Sequence, residues 1–119
     1  MQITETVRIA SDVYKKVLKL MGNRFEISVV GDDPVWANEC IEEAVEEIRR
    51  IEKLFTTFNE SSQTNLINRN AGVAPVHVDN EVFELIRRSK KISGITQGAF
   101  DISYGSVDKR LWNFDKNMR

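Results

Sequence analysis

Three short segments place residues where ordinary packing does not demand them. Met21-Gly22-Asn23 sets a long, flexible thioether beside a turn-forming glycine, at a position where a polar side chain is usual. Such a side chain either fills a gap in a core or forms a soft wall against a flat ring. Thr56-Thr57-Phe58-Asn59 closes an apolar stripe with an aromatic ring, which suits core packing or stacking on a planar ligand. Gly98-Ala99-Phe100-Asp101 begins with two residues that leave room for a close backbone approach, or for a tight turn into a strand. On their chemistry alone these segments define a soluble domain with, at most, a pocket for a planar ligand.

The residues usually recruited for hydrolysis or metal binding are scarce. His77 is the only histidine, flanked by Val76 and Val78 in what reads as a short strand, and one histidine makes no two-histidine metal set. Cys40 is the only cysteine, so an intramolecular disulfide is impossible. It falls on an apolar stripe, where a thiol behaves as a small hydrophobe, and no histidine lies near in sequence to activate it. Glu39, Glu42, Glu43, Glu46 and Glu47 precede Arg49, Arg50 and Lys53. That order matches a helix dipole and reads as a solvated face, not an acid–base site. Serine-hydrolase and zinc-protease chemistry find little support.

The elements that must position these segments follow from periodicity. Val13 to Leu20 is rich in β-branched and aliphatic residues, and Phe25, Ile27 and Val29 alternate with polar residues at the period of a half-buried strand. Gly22-Asn23 between them predicts a hairpin with a type II′ turn. Asp32-Asp33-Pro34 is a helix start, a carboxylate cap before a proline preset for the first turn. Ala37, Cys40, Ile41, Ala44, Val45, Ile48, Ile51, Leu54, Phe55 and Phe58 recur at steps of three and four, which predicts one amphipathic helix to about Phe58. Asn59 to Asn70 reads as loop with a short helix at most. Asp79 caps a second amphipathic helix built on Phe83, Ile86 and Ile92, with Gly94 placed for a left-handed helix end. Met1 to Ser11 is mixed polar and reads as a flexible N-terminus, with one domain over 12–119. A hairpin, a long helix, short strands and a second helix make an α+β fold.

The chain has 119 residues, enough for one core but not two. Acids outnumber bases by 18 to 17, which argues against a dedicated nucleic-acid binder. No stretch approaches the roughly 20 apolar residues that span a bilayer. Met1 to Ser11 lacks the basic start and apolar run of a signal peptide, so the expectation is a cytoplasmic protein, or an exported one whose leader is absent from this chain.

Taken in order, the three segments resemble those of the ApbE family, the FAD:protein FMN transferases once described as thiamine-biosynthesis lipoproteins. Family members carry Met-Gly-Thr near the start, here Met21-Gly22-Asn23. After a long helix they show a Ser/Thr-x-aromatic segment, here Thr56-Thr57-Phe58, and a polar Ser-to-Asn region, here Ser62 to Asn68. Thr-x-Gly-Ala-Phe-Asp follows, here Thr96 to Asp101, and then Leu-Trp-Gly-Phe, here Leu111-Trp112-Asn113-Phe114. Asn23, Phe58 and Asn113 depart from the usual Thr, Tyr and Gly, and the first two remove hydroxyls that could hydrogen-bond a flavin.

The resemblance implies an α+β FAD-binding domain of which this chain is the N-terminal portion. It places flavin contacts on Met21, Phe58, Ala99, Phe100 and Asp101, with the last three holding another part of the dinucleotide through their backbone. It implies protein flavinylation: FMN moves from FAD to a threonine of a target protein, with magnesium held by Asp and Thr residues that follow this portion. No catalytic or metal-ligating residue is assigned within this chain, which alone is not expected to be active. A sheet cut short would expose apolar surface and invite dimerisation. The alternative is a non-catalytic flavin-binding or assembly module that completes its fold with a partner chain.

Overall fold

In a computed structural model, which describes residues 5–106, the alternation in the first third of the chain becomes a sheet. Strands β2 (Val13–Leu20) and β3 (Asn23–Val30) pair antiparallel in unbroken register, from Val13 opposite Val30 to Leu20 opposite Asn23. The period of two puts Tyr14, Leu18 and Leu20 of β2 on the same face as Phe25, Ile27 and Val29 of β3. Strand β1 (Val7–Ala10) adds to the free edge of β2, with a register shift between Arg8 and Ala10. The sheet order is therefore β1-β2-β3. Val7 to Ala10 fall within the stretch expected to be flexible. Backbone groups on the free edge of β2 recruit them, because a strand edge needs partners that local polarity does not reveal.

Helix α1 (Pro34–Phe55) lies across the apolar face of this sheet. Asp33 caps it, its carboxylate accepting from the amides of Val35 at 2.9 Å and Trp36 at 3.3 Å. Ala37, Ile41 and Val45 are fully buried and join Tyr14, Leu18 and Leu20 in the core, with Ile48 packed alongside. Ile41, Val45, Leu18 and Leu20 each contribute about 1.5–3 kcal/mol on burial, and the Ala37 methyl less. The helix stops at Phe55, three residues before the expected end. Thr56 turns extended, and its hydroxyl accepts the Phe58 amide at 3.1 Å, offering the backbone an alternative to another helical turn.

Helix α2 (Gln63–Asn70) is the short helix anticipated in the polar stretch, capped by Ser62. Beyond it, Val76 and Val78 are half-buried and His77 exposed, the alternation expected, but no strand forms there among the described residues. The chain divides into two compact units, Met1–Val76 and His77–Arg119.

The second unit holds α3 (Asn80–Ile95) and a 3-10 turn, Ile102–Ser106. Asp79 caps α3 as expected, accepting from the Glu81 amide at 2.9 Å. The buried residues of α3 are Val82 and Ser89, whereas Phe83 and Ile92 are exposed. Counting only large apolar residues misplaced this face. Ser89 can be buried because its hydroxyl donates to the Leu85 carbonyl at 2.8 Å. A three-stranded antiparallel sheet with helices is the α+β class that the element order predicts. Leu111 to Phe114 lie outside the described residues.

Candidate functional site

The β2–β3 turn is built by Met21 and Gly22, one residue earlier than the sequence suggests. Both have positive φ, 51° at Met21 and 72° at Gly22. Two left-handed residues make a type I′ turn, whose twist matches that of the flanking strands, where type II′ would need only the first. Met21 thus adopts a conformation that costs a side-chain-bearing residue about 1–2 kcal/mol. Its side chain is 39% exposed, so it is not a fully enclosed core contact. Its amide donates to Oε2 of Glu52 at 3.3 Å, which ties the turn to the last turn of α1.

Phe58 lies three residues past the end of α1, so it stands at the same end of the first unit as the Met21 turn. Its ring is 99% exposed. The loop beneath it is held by backbone-directed bonds. Ser62, only 1% exposed, donates to the Thr56 carbonyl at 2.6 Å and accepts the Asn65 amide at 3.2 Å. The Asn65 side-chain amide donates to the carbonyls of Thr57 at 2.9 Å and Asn59 at 2.8 Å. A bare aromatic on a tied loop and a thioether on a tied turn offer two apolar surfaces to a flat ring. The Ser-to-Asn pattern thus shapes the loop through Ser62 and Asn65, while Asn68 is exposed.

Ala99, Phe100 and Asp101 belong to the second unit, and their geometry stands on its own. Thr96-Gln97-Gly98 closes α3. The Gly98 amide donates to the Ser93 carbonyl at 2.8 Å and the Gln97 amide to that of Gly94 at 3.3 Å, the paired bonds of a Schellman motif. The left-handed residues are Gln97 (φ 54°) and Gly98 (φ 83°), not Gly94, which stays helical. The Ala99 amide then donates to the Thr96 carbonyl at 3.1 Å, and the Phe100 amide to the Thr96 hydroxyl at 3.1 Å. The amides of Ala99 and Phe100 are therefore occupied within the turn. Asp101 Oδ1 accepts from the Ser103 hydroxyl at 2.6 Å and the Ser103 amide at 2.8 Å. The hydroxyl, then the amide, holds the Asp101 carboxyl below the usual range by stabilising its charged form. Ala99-Phe100-Asp101 is a bend leading into the 3-10 turn, not the expected strand.

Two other features bear on chemistry. Among the described residues, no three side chains of His, Cys, Asp or Glu gather in a way that could hold a metal ion. A shallow groove beside Arg8, Tyr14, Lys16, Pro34 and Asn38 lies at the other end of the first unit. Tyr14 and Met21 are seven residue steps apart along β2 and its turn, roughly 23 Å, and none of the expected flavin contacts lines that groove.

Glu52 is the residue that sequence reasoning missed. The signal was available: it stands near the C-terminal end of α1, where a negative charge opposes the helix dipole, after a run in which acids otherwise precede bases.

A three-stranded sheet with a helix across one face, and an exposed thioether turn and a bare aromatic at one end of it, define a protein of the α+β class. The chain belongs to the ApbE family, which it matches over residues 21–119. It is similar to two proteins of Klebsiella pneumoniae (strain 342), each named FAD:protein FMN transferase. Identity is 33% over 100 residues with one, covering 84% of this chain and 30% of the relative. With the other it is 27% over 96 residues, covering 81% and 27%. The chain thus spans under a third of the length of these relatives. No solved structure matches it.

Proposed function

We propose that this chain is the FAD-gripping N-terminal part of a magnesium-dependent FAD:protein FMN transferase. The observation that carries this reading is the family match together with where two of its segments fall. The Met21 turn and the Phe58 loop stand at one end of the first unit, each tied to the C-terminal end of α1. Met21 and Phe58 would flank the isoalloxazine ring, and the Ala99, Phe100 and Asp101 backbone would hold another part of the dinucleotide.

In the transfer, the hydroxyl oxygen of an acceptor threonine attacks the phosphorus of the FMN phosphate. A new P–O bond forms, the bond to the AMP phosphate breaks, and AMP leaves while the hydroxyl proton passes to a base. Such chemistry rests on positioning and on neutralising charge, which a bound magnesium ion supplies. The described residues contribute the positioning: an apolar clamp on the ring fixes where the phosphate lies. The metal ligands are assigned to residues beyond this portion.

The test is to titrate FAD into the whole protein that carries these residues and follow flavin fluorescence, with and without magnesium. Saturable binding is expected; absence of binding under both conditions rejects the reading. A second reading keeps the exposed Met21 and Phe58 as ring contacts without the transfer chemistry. In it, the chain is a non-catalytic flavin-binding or assembly module that completes its fold with a partner chain. The intact mass of the natural protein separates the two, since a mass close to 13.7 kDa favours the module and one matching the relatives' length favours the enzyme.

A further inference from the structure

The Met21 amide would have no partner within a two-residue hairpin, because the amides of the central turn residues lie outside the strand ladder. Glu52 supplies one from α1, its Oε2 accepting at 3.3 Å. The same residue's carbonyl accepts the Thr56 amide at 2.8 Å, the bond that ends α1 just before Phe58. One residue therefore touches both segments that carry the proposed ring contacts, by its side chain on one side and its backbone on the other. A carboxylate near a helix C-terminus is unfavourable against the dipole. A local rule broken without local compensation points to use elsewhere. The use on view is to hold a turn whose φ of 51° at Met21 is intrinsically costly.

We propose that Glu52 is a positioning residue for flavin binding, acting through the Met21 amide to aim the Met21 thioether at the ring. This rests on Met21 being a flavin contact. A hydrogen bond of this kind, once lost, changes an equilibrium by about five- to tenfold. Glutamine retains an oxygen acceptor of the same reach but no charge, and alanine retains neither.

The experiment uses the whole protein and compares Glu52→Ala, Glu52→Gln, Met21→Ala and the double variant Glu52→Ala/Met21→Ala. FAD affinity is read by fluorescence titration, and Met21 amide protection by hydrogen exchange. Glu52→Ala is expected to weaken FAD binding about five- to tenfold and to speed Met21 exchange, with Glu52→Gln close to native in both. In the Met21→Ala background, Glu52→Ala is expected to have no further effect on affinity, which a merely structural role would not produce. If Met21→Ala weakens FAD and Glu52→Ala does not, the positioning role is wrong while the site stands. If Met21→Ala leaves affinity unchanged, the flavin reading of Met21 falls, and this proposal with it. If Glu52→Ala and Glu52→Gln tighten FAD alike, Glu52 acts by charge repulsion and the proposal is overturned. Should Glu52→Ala not fold, equal Met21 exchange in Glu52→Gln and native protein supports the acceptor role, and faster exchange in Glu52→Gln overturns it.

Discussion

The Ser62 hydroxyl donates to the Thr56 carbonyl at 2.6 Å, across the loop that presents Phe58. The same oxygen accepts the Asn65 amide as the N-cap of α2. A single buried hydroxyl therefore closes the loop and starts the next helix. It explains how a ring that is 99% exposed can still be held in a defined place.

Replacing Ser62 with alanine removes both bonds. The Thr56 carbonyl and one α2 amide lose their partner beside a side chain that is 1% exposed. The expected cost is about 1–2 kcal/mol in a denaturant titration, from the lost cap and the lost buried bond together. Ser62→Thr, which keeps the hydroxyl, should cost less. Equal stability of Ser62→Ala and native protein would mean that the loop is held otherwise.

The core face of β2 contains one charge. Lys16 lies between Tyr14 and Leu18 with its side chain 10% exposed, and its ammonium pairs with the Glu42 carboxylate of α1, which is 44% exposed. Its stem lies along the apolar face while its head reaches the partner. Glu42→Ala should cost about 1–2 kcal/mol, less than for a wholly buried pair because water can reach the Glu42 side. Lys16→Met, similar in volume, should be neutral within about 1 kcal/mol. Thermal melts of both variants and their combination check this, and Lys16→Met proving the more damaging would reverse the argument.

How much of this was legible in advance depended on whether local pattern or distant partners set each feature. The alternation in β2 and β3, the Asp33 cap and the buried line Ala37, Ile41 and Val45 follow from periods of two and 3.6, and all appear where the sequence puts them. β1 did not, because a strand formed at a free edge depends on a partner, not on its own polarity. The hairpin turn shifted by one residue because cross-strand register, not glycine preference alone, selects the two central positions. Val76 to Val78 keep strand alternation without strand pairing, since alternation reports faces and not partners. The face of α3 was misjudged because a buried serine is invisible to a count of apolar residues. The Met21 and Phe58 segments stood out on residue type, but the residues that hold them, Glu52, Ser62 and Asn65, are ordinary polar residues whose partners only the fold supplies.

The Asp101 carboxyl sets a pH dependence with a definite sign. Its folded value lies below that of an unfolded aspartate, about 3.9, because the Ser103 hydroxyl and amide favour the charged form. The stability it contributes is therefore fully present above the unfolded value and is lost as pH falls through the lowered folded value. Carbon-detected NMR titration should place the Asp101 midpoint below the ordinary range. Ser103→Ala removes the larger of the two influences and should move that midpoint upward, with the amide bond retained. A midpoint unmoved by Ser103→Ala would remove the hydroxyl as its cause.

Met21 gives the sharpest separation between packing and binding. At φ 51° beside Gly22, a type I′ turn favours asparagine over methionine. Met21 is 39% exposed, so replacing it sacrifices only part of its apolar burial. Met21→Asn should therefore leave the hairpin as stable as before or stabilise it by up to about 1 kcal/mol, read from the denaturation midpoint. It should at the same time weaken FAD binding about tenfold, because asparagine offers no polarisable apolar surface to the ring. Binding falls while stability holds or rises, which is what a residue retained for its ligand and not for its fold must show. A variant that loses stability while binding FAD as the native protein does would make Met21 a packing residue and take the thioether wall out of the site.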